Sequence, residues 1–194
     1  MSLPASYYDD DAADPRSLAR LAPEDSPWFP LYHEVATWLP RDAHVIDLGC
    51  GGGSLARHLA DRKFERYDGY DFSSAYLALA QRRVPDRGFS FHLEDLRDHV
   101  FPEVPGTYVC TEVLEHLDDD VSLVERITPS SRFVFSVPNY PSAGHVRWFN
   151  NVKHASDRYA SMLSYRRWTL IDVEPARGKV IHLFDSIRRT DTWR

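Results

Sequence analysis

The 194-residue sequence predicts an α/β fold, a mostly parallel sheet with an antiparallel last strand and helices on both faces. Three observations predict it. Short apolar runs alternate with stretches of helical spacing through most of the chain. The first apolar run ends in a glycine cluster from which a helix starts. The last two runs are joined by a turn holding Pro175 and Gly178, too short for a helical crossover, so they must pair antiparallel.

The elements follow in order. Residues 1–30 are rich in Asp, Pro, Ser and Ala and read as an irregular arm with one short helix. Tyr7, Tyr8 and Pro27-Trp28-Phe29-Pro30 are unusual in a free tail, so the arm is expected to fold over something, as a lid. Leu31, Val35, Trp38 and Leu39 have helical spacing, and Pro40 ends that helix. His44 to Gly49 is the first strand, and Ser54 to Ala60 reads as a helix. Tyr67 to Asp71 is the second strand, and Ser73 or Ser74 caps a helix to about Arg83, before Pro85. Phe89–Leu93 and Tyr108–Thr111 are the third and fourth strands. A helix opened by Asp118 or Asp119 runs to Ile127, and Arg132–Val137 is the fifth strand. Trp168–Val173 and Lys179–Ile187 complete a seven-stranded sheet.

The length suits one domain spanning 1–194, with 1–30 as the arm. Apolar residues make up 43% and charged residues 27%, as in ordinary globular chains. With 23 basic and 29 acidic residues the net charge is −6, which speaks against a long nucleic-acid interface. Cys50 and Cys110 are the only cysteines, so a disulfide framework is not expected and a reducing cytoplasm fits. No signal peptide is apparent, and no run approaches the roughly 20 apolar residues of a membrane helix.

The strongest local signal is Asp47-Leu48-Gly49-Cys50-Gly51-Gly52-Gly53-Ser54. Glycines here allow positive φ and close approach of a ligand, and the following helix offers free N–H groups. A dinucleotide site of the form G-x-G-x-x-G would place its third glycine where Ser54 stands. Asp47, at the strand end, would repel a pyrophosphate and attract an ammonium. The spacing of Asp47, Gly49, Gly51 and Gly53 resembles the first motif of class I S-adenosylmethionine-dependent methyltransferases, whose Rossmann-like sheet matches the predicted order. Thr111-Glu112-Val113-Leu114-Glu115-His116-Leu117 resembles the E-V-L-E-H-L segment of a small-molecule subgroup that includes ubiquinone-biosynthesis methyltransferases.

The resemblance implies S-adenosylmethionine as cofactor, S-adenosylhomocysteine as product, and a small-molecule acceptor methylated on oxygen or nitrogen. Asp71, closing the second strand, is placed to accept hydrogen bonds from a ribose, a role a nicotinamide site shares. The resemblance assigns Asp95 to the adenine amino group and Leu96 to the ring. Phe72 and Thr111 complete the expected donor contacts. His116 or His145 is the candidate general base. A second reading takes Glu112, Glu115, His116 and His145 as a divalent-metal set, as in small-RNA 2′-O-methyltransferases; the metal-free reading is preferred. Two further alternatives are a nicotinamide oxidoreductase, which Asp47 and Ser54 oppose, and a non-catalytic S-adenosylmethionine-binding relative. The stretch from Tyr140 to Tyr165, with Arg147, Trp148, Phe149 and His154, is either a second lid holding a planar acceptor or the packing of a short helix.

Overall fold

The computed structural model describes residues 2–85 and 88–190. The described residues form two compact units. One spans Leu3–His99, and the other runs from Val100 onward together with Ser2.

The N-terminal unit opens with α1 (Ala5–Ala13) and two 3-10 turns, Leu18–Arg20 and Pro23–Asp25. The arm thus carries more helix than its composition suggests. The reason is local capping: Ser17 Oγ accepts from Ala19 N at 3.1 Å, and Pro23 opens the second turn. Then follow α2 (Phe29–Trp38), β1 (His44–Leu48), α3 (Ser54–Asp61), β2 (Arg66–Asp71), α4 (Ser74–Arg83) and β3 (Phe89–Leu93). The strands pair parallel in the order β3-β2-β1. Leu55, Ala56 and Leu59 of α3 and Leu77 and Ala80 of α4 are buried, as the spacing of these residues dictates. Ser73 caps α4, accepting from Tyr76 N at 3.1 Å.

The C-terminal unit holds β4 (Thr107–Cys110), a 3-10 turn at Leu114–His116, α5 (Asp120–Arg126), β5 (Arg132–Pro138), α6 (Val152–Tyr159), β6 (Leu163–Glu174) and β7 (Lys179–Arg188). β4 and β5 are parallel, and β7 runs antiparallel to both β5 and β6, between them. All seven strands are therefore present in a mixed, mostly parallel sheet, with the last strand antiparallel. The turn into β7 closes on Gly178 at φ +63°. β7 is the most buried of the late strands, and Phe184 stacks on Phe135 at 5.0 Å. β6 starts at Leu163 rather than Trp168, because Ser164, Arg166 and Arg167 interrupt the apolar alternation on an exposed edge. Within 140–165 a short helix, α6, does form, and Phe149 and Tyr159 are packed inside. Among the described residues, no helix is long and apolar enough to cross a membrane.

Candidate active site

The glycine loop leaves β1 by a tight turn. The N–H groups of Gly49 and Cys50 both donate to the Tyr70 carbonyl, at 2.8 and 3.0 Å. Gly49, Gly51 and Gly53 have φ of +82°, +51° and +76°, so each uses the backbone freedom that its lack of Cβ provides. Their surroundings differ. A Cβ on Gly53 would lie 2.8 Å from Ala80 Cβ, so this glycine lets the loop press against α4. A Cβ on Gly51 would meet nothing within 4 Å, so the backbone there is open to a ligand.

Two acidic side chains flank the loop. Asp47 is buried in β1; Oδ2 accepts from the Tyr67 hydroxyl at 2.5 Å, while Oδ1 has no hydrogen-bond partner among the described residues. Burial raises its pKa to about 7, against the Tyr67 hydrogen bond and with reinforcement from Asp71. Asp71 ends β2. It accepts from Gly51 N through Oδ2 and from Ser73 N through Oδ1, each at 2.9 Å. Burial raises it to about 6, opposed by these backbone donors. The structure thus ties Asp71 to Gly51 directly, and Asp47 lies within electrostatic reach of both.

Phe72 follows Asp71 and packs against the Tyr8 ring at 5.2 Å. Leu96 is buried. The Asp95 carboxylate is engaged by its neighbour Arg97, whose backbone N and Nε donate at 2.9 Å. This local pairing lowers its pKa. Thr111 belongs to the C-terminal unit and follows β4 directly.

In the C-terminal unit, Glu115, His116 and His145 each place one ligating atom within 4.8 Å of the others. The two imidazoles meet edge to face, centroids 4.8 Å apart. Glu115 is fully buried, and neither carboxylate oxygen has a hydrogen-bond partner among the described residues. Burial, then the nearby Glu112, push its pKa well above the usual carboxylate range. His116 is lowered to about 4 by burial and by His145, and His145 is lowered chiefly by burial. His116 Nε2 lies 4.0 Å from Glu115 Oε1, beyond hydrogen-bond distance. Glu112 is used differently. At φ +56° its N–H donates to Ser136 Oγ at 3.0 Å, and that hydroxyl donates back to Glu112 Oε1 at 2.9 Å. The fourth member of the expected metal set is thus held on β5.

Several residues support these groups through contacts that the sequence did not announce. Arg147 donates to the Leu114 carbonyl at 2.7 Å and the Asp118 carbonyl at 2.9 Å, and the Val146 N–H donates to the Glu115 carbonyl at 2.8 Å. These ties fix the turn that carries Glu115 and His116 beside His145. Asp120 is fully buried; Arg158 Nε donates to it at 2.7 Å and the Tyr159 hydroxyl at 2.6 Å. Tyr67, the partner of Asp47, lies 20 residues away in sequence. None of these belongs to a contiguous motif; only the parallel β1–β2 register would have suggested Tyr67.

Comparison with known proteins agrees with this geometry. Residues 45–129 match a methyltransferase domain family. Over 163 residues the chain is 28% identical to a ubiquinone biosynthesis O-methyltransferase of Sodalis glossinidius, covering 71% of this chain and 64% of that one. It thus spans less than two thirds of the length of that curated relative. A chain from the complex between the Haloferax volcanii Trm112 methyltransferase activator and a methyltransferase superimposes with a TM-score of 0.75 at 19% identity, covering 94% of this chain and 97% of its own. A magnesium protoporphyrin IX methyltransferase from Synechocystis with bound S-adenosylhomocysteine superimposes with a TM-score of 0.63 at 18% identity, covering 81% and 82%. The chain thus carries a methyltransferase-domain match over residues 45–129 and shares the fold of these solved methyltransferases.

Proposed function

We propose that this protein transfers a methyl group from S-adenosylmethionine to an oxygen or nitrogen atom of a small molecule. The carrying observation is Asp47, a buried carboxylate at the head of the glycine loop with one oxygen lacking a hydrogen-bond partner among the described residues. Leaving such an atom unpaired costs about 1–3 kcal/mol, so a cationic donor group suits it. The N-terminal unit fits this cofactor on its own evidence. Asp47 Oδ1 would take the ammonium, and the open backbone at Gly51 gives room for the amino-acid part. Each Asp71 oxygen accepts one backbone N–H and keeps lone pairs for a ribose hydroxyl. Leu96 and Phe72 offer apolar surface to a base. Asp95, already bonded to Arg97, is the less suited of the assigned contacts.

The bound cofactor supplies a sulfonium-activated methyl, so the chain's contribution is chiefly to hold and orient. We assign His116 and His145 to the acceptor. Both imidazoles are neutral near pH 7, the form that accepts a proton or a hydrogen bond from a hydroxyl or amine. A small acceptor is supported by the curated relative and by the net charge of −6, which disfavours RNA. Two buried cysteines outside any disulfide suit work in the cytoplasm.

The test is isothermal titration with S-adenosylhomocysteine, with NADH as control. Micromolar binding of the first alone is expected. Binding of neither would overturn the donor reading.

The metal reading has one specific observation in its favour, the mutual approach of Glu115, His116 and His145. Such a set would hold a divalent cation able to polarise an acceptor hydroxyl. Turnover unaffected by EDTA and by added Mg2+ or Mn2+ would remove it.

A further inference from the structure

Arg83 ends α4 and belongs to none of the motifs above. Its Nη1 donates to the Gly52 carbonyl at 2.6 Å and to Ser54 Oγ at 2.8 Å, both in the glycine loop. Its Nη2 donates to the carbonyls of Ala19 and Leu21 at 2.9 and 2.8 Å, both in the N-terminal arm. One guanidinium therefore joins the donor loop to the arm. The two segments also meet directly, since a Cβ on Gly52 would lie 3.0 Å from the Ala19 carbonyl oxygen.

The arm is pinned again at the other end of α4. Asp9 accepts from Ser73 Oγ at 2.7 Å and Ala75 N at 3.1 Å, two residues beyond Asp71. Asp11 accepts from the Tyr76 hydroxyl at 2.7 Å, and Tyr8 packs on Phe72. Little apolar burial supports these ties: in α1 only Ala12 is buried, and Tyr7 and Leu18 are exposed. The arm is thus held largely by polar contacts, and both anchor points fall on segments assigned to the donor.

We propose that Arg83 is a positioning residue that couples the N-terminal arm to the donor loop, so that arm docking and donor binding strengthen each other. The proposal rests on the donor reading given above. Coupling of this kind is reciprocal: whatever the docked arm adds to donor affinity, the donor adds to arm docking. Arginine suits the task because its planar fork reaches four acceptors on two segments, which the single ammonium of lysine cannot span.

The experiment measures S-adenosylhomocysteine affinity by titration, and amide hydrogen exchange over Leu18–Leu21 with and without that ligand. It compares the wild type, Arg83→Met, Arg83→Lys, Asp9→Asn and the Asp9→Asn/Arg83→Met double variant. The expected results are affinity about tenfold weaker in Arg83→Met, with Arg83→Lys between, and ligand-induced protection of the arm in the wild type that Arg83→Met loses. Asp9→Asn should weaken binding in the wild-type background and add little to Arg83→Met, because both act through one docked arm. A merely structural arginine would lower thermal stability yet leave affinity and arm protection unchanged in the folded variant. That result, or full additivity in the double variant, overturns the proposal. If Arg83→Met does not fold, exchange on the wild type decides: no protection of Leu18–Leu21 on ligand binding overturns it. Wild type that binds no S-adenosylhomocysteine refutes the donor reading and this inference together, whereas binding that Arg83→Met leaves unchanged refutes this inference alone.

Discussion

The two units differ in how far each leaves a buried acid unpaired. In the N-terminal unit, Asp71 is held by backbone N–H groups and Asp47 by one tyrosine, and the loop they flank is a single stretch of sequence. In the C-terminal unit, Asp120 is saturated while Glu115, five residues earlier and equally buried, has no hydrogen-bond partner for either oxygen among the described residues. The difference teaches how to read a buried carboxylate. One whose oxygens are all spoken for by protein donors is architecture. One left with an unsatisfied oxygen, at a cost of about 1–3 kcal/mol, is held for something the chain does not itself contain.

The largest effect should come from breaking the architectural case. Asp120 receives Arg158, Tyr159 and, at 3.3 Å, Arg147. Asp120→Ala removes the buried acceptor and leaves the buried Tyr159 hydroxyl unpaired beside two partly exposed arginines, so urea unfolding should show a loss of about 3 kcal/mol, the low end for breaking a buried pair. A loss below about 1 kcal/mol would mean that the arginines find water instead, and the contrast with Glu115 would lose its force.

Next in size is the donor acid. Asp71→Ala should weaken S-adenosylhomocysteine binding by about 30- to 100-fold, the scale of one or two hydrogen bonds to a charged group. Asp71→Asn keeps the shape and should lose less. Equal, near-wild-type affinity in both would show that Asp71 serves only Gly51 and Ser73.

How far the sequence reaches follows the same division. Strand–helix alternation and the short last turn were sufficient for a mostly parallel sheet with an antiparallel last strand, because each is a local pattern; the place of β7 between β5 and β6 was not legible in them. The glycine loop was legible for the same reason: Asp47, Gly49, Gly51 and Gly53 lie on one turn, and Asp71 ends the adjacent strand. The arm was only half legible. Its aromatics marked it as packed, but Arg83, which ties it down, reads in sequence as one more basic residue closing a helix. In the C-terminal unit, the contiguous Glu115-His116 pair was visible, and its juxtaposition with His145 was anticipated only through family resemblance. The contacts that create that juxtaposition, Arg147 on the Leu114 and Asp118 carbonyls, span about 30 residues and leave no periodic trace. Glu112 shows the limit most plainly. Family resemblance grouped it with Glu115 and His116, whereas a left-handed backbone turns it to Ser136.

A third prediction concerns pH. Burial holds Asp47 at about 7 and Asp71 at about 6, above the roughly 3.9 of an exposed aspartate. Between about pH 4 and 7 the folded chain without ligand therefore binds more protons than the unfolded chain, and its stability from these groups falls as pH rises through that window. The ionised carboxylates are the forms that hold an ammonium and a diol. S-adenosylhomocysteine affinity should thus strengthen with rising pH, by about tenfold between pH 6 and 8, and level off above. Affinity that is flat, or that weakens over this range, would show that neither acid carries the donor.

The smallest effect in energy is the most diagnostic in sign. Glu115→Leu replaces a buried acid without partners by an apolar side chain of similar volume. Removing an unsatisfied polar group in this way should raise stability by about 1 kcal/mol, read as a higher urea midpoint at unchanged slope. Turnover should fall at the same time, since the cluster with His116 and His145 loses its carboxylate. A gain in stability joined to a loss of activity marks a residue kept for chemistry at the expense of the fold. If Glu115→Leu instead destabilises as Asp120→Ala does, Glu115 is architectural too. The cluster then reduces to its two imidazoles, and the metal reading goes with it.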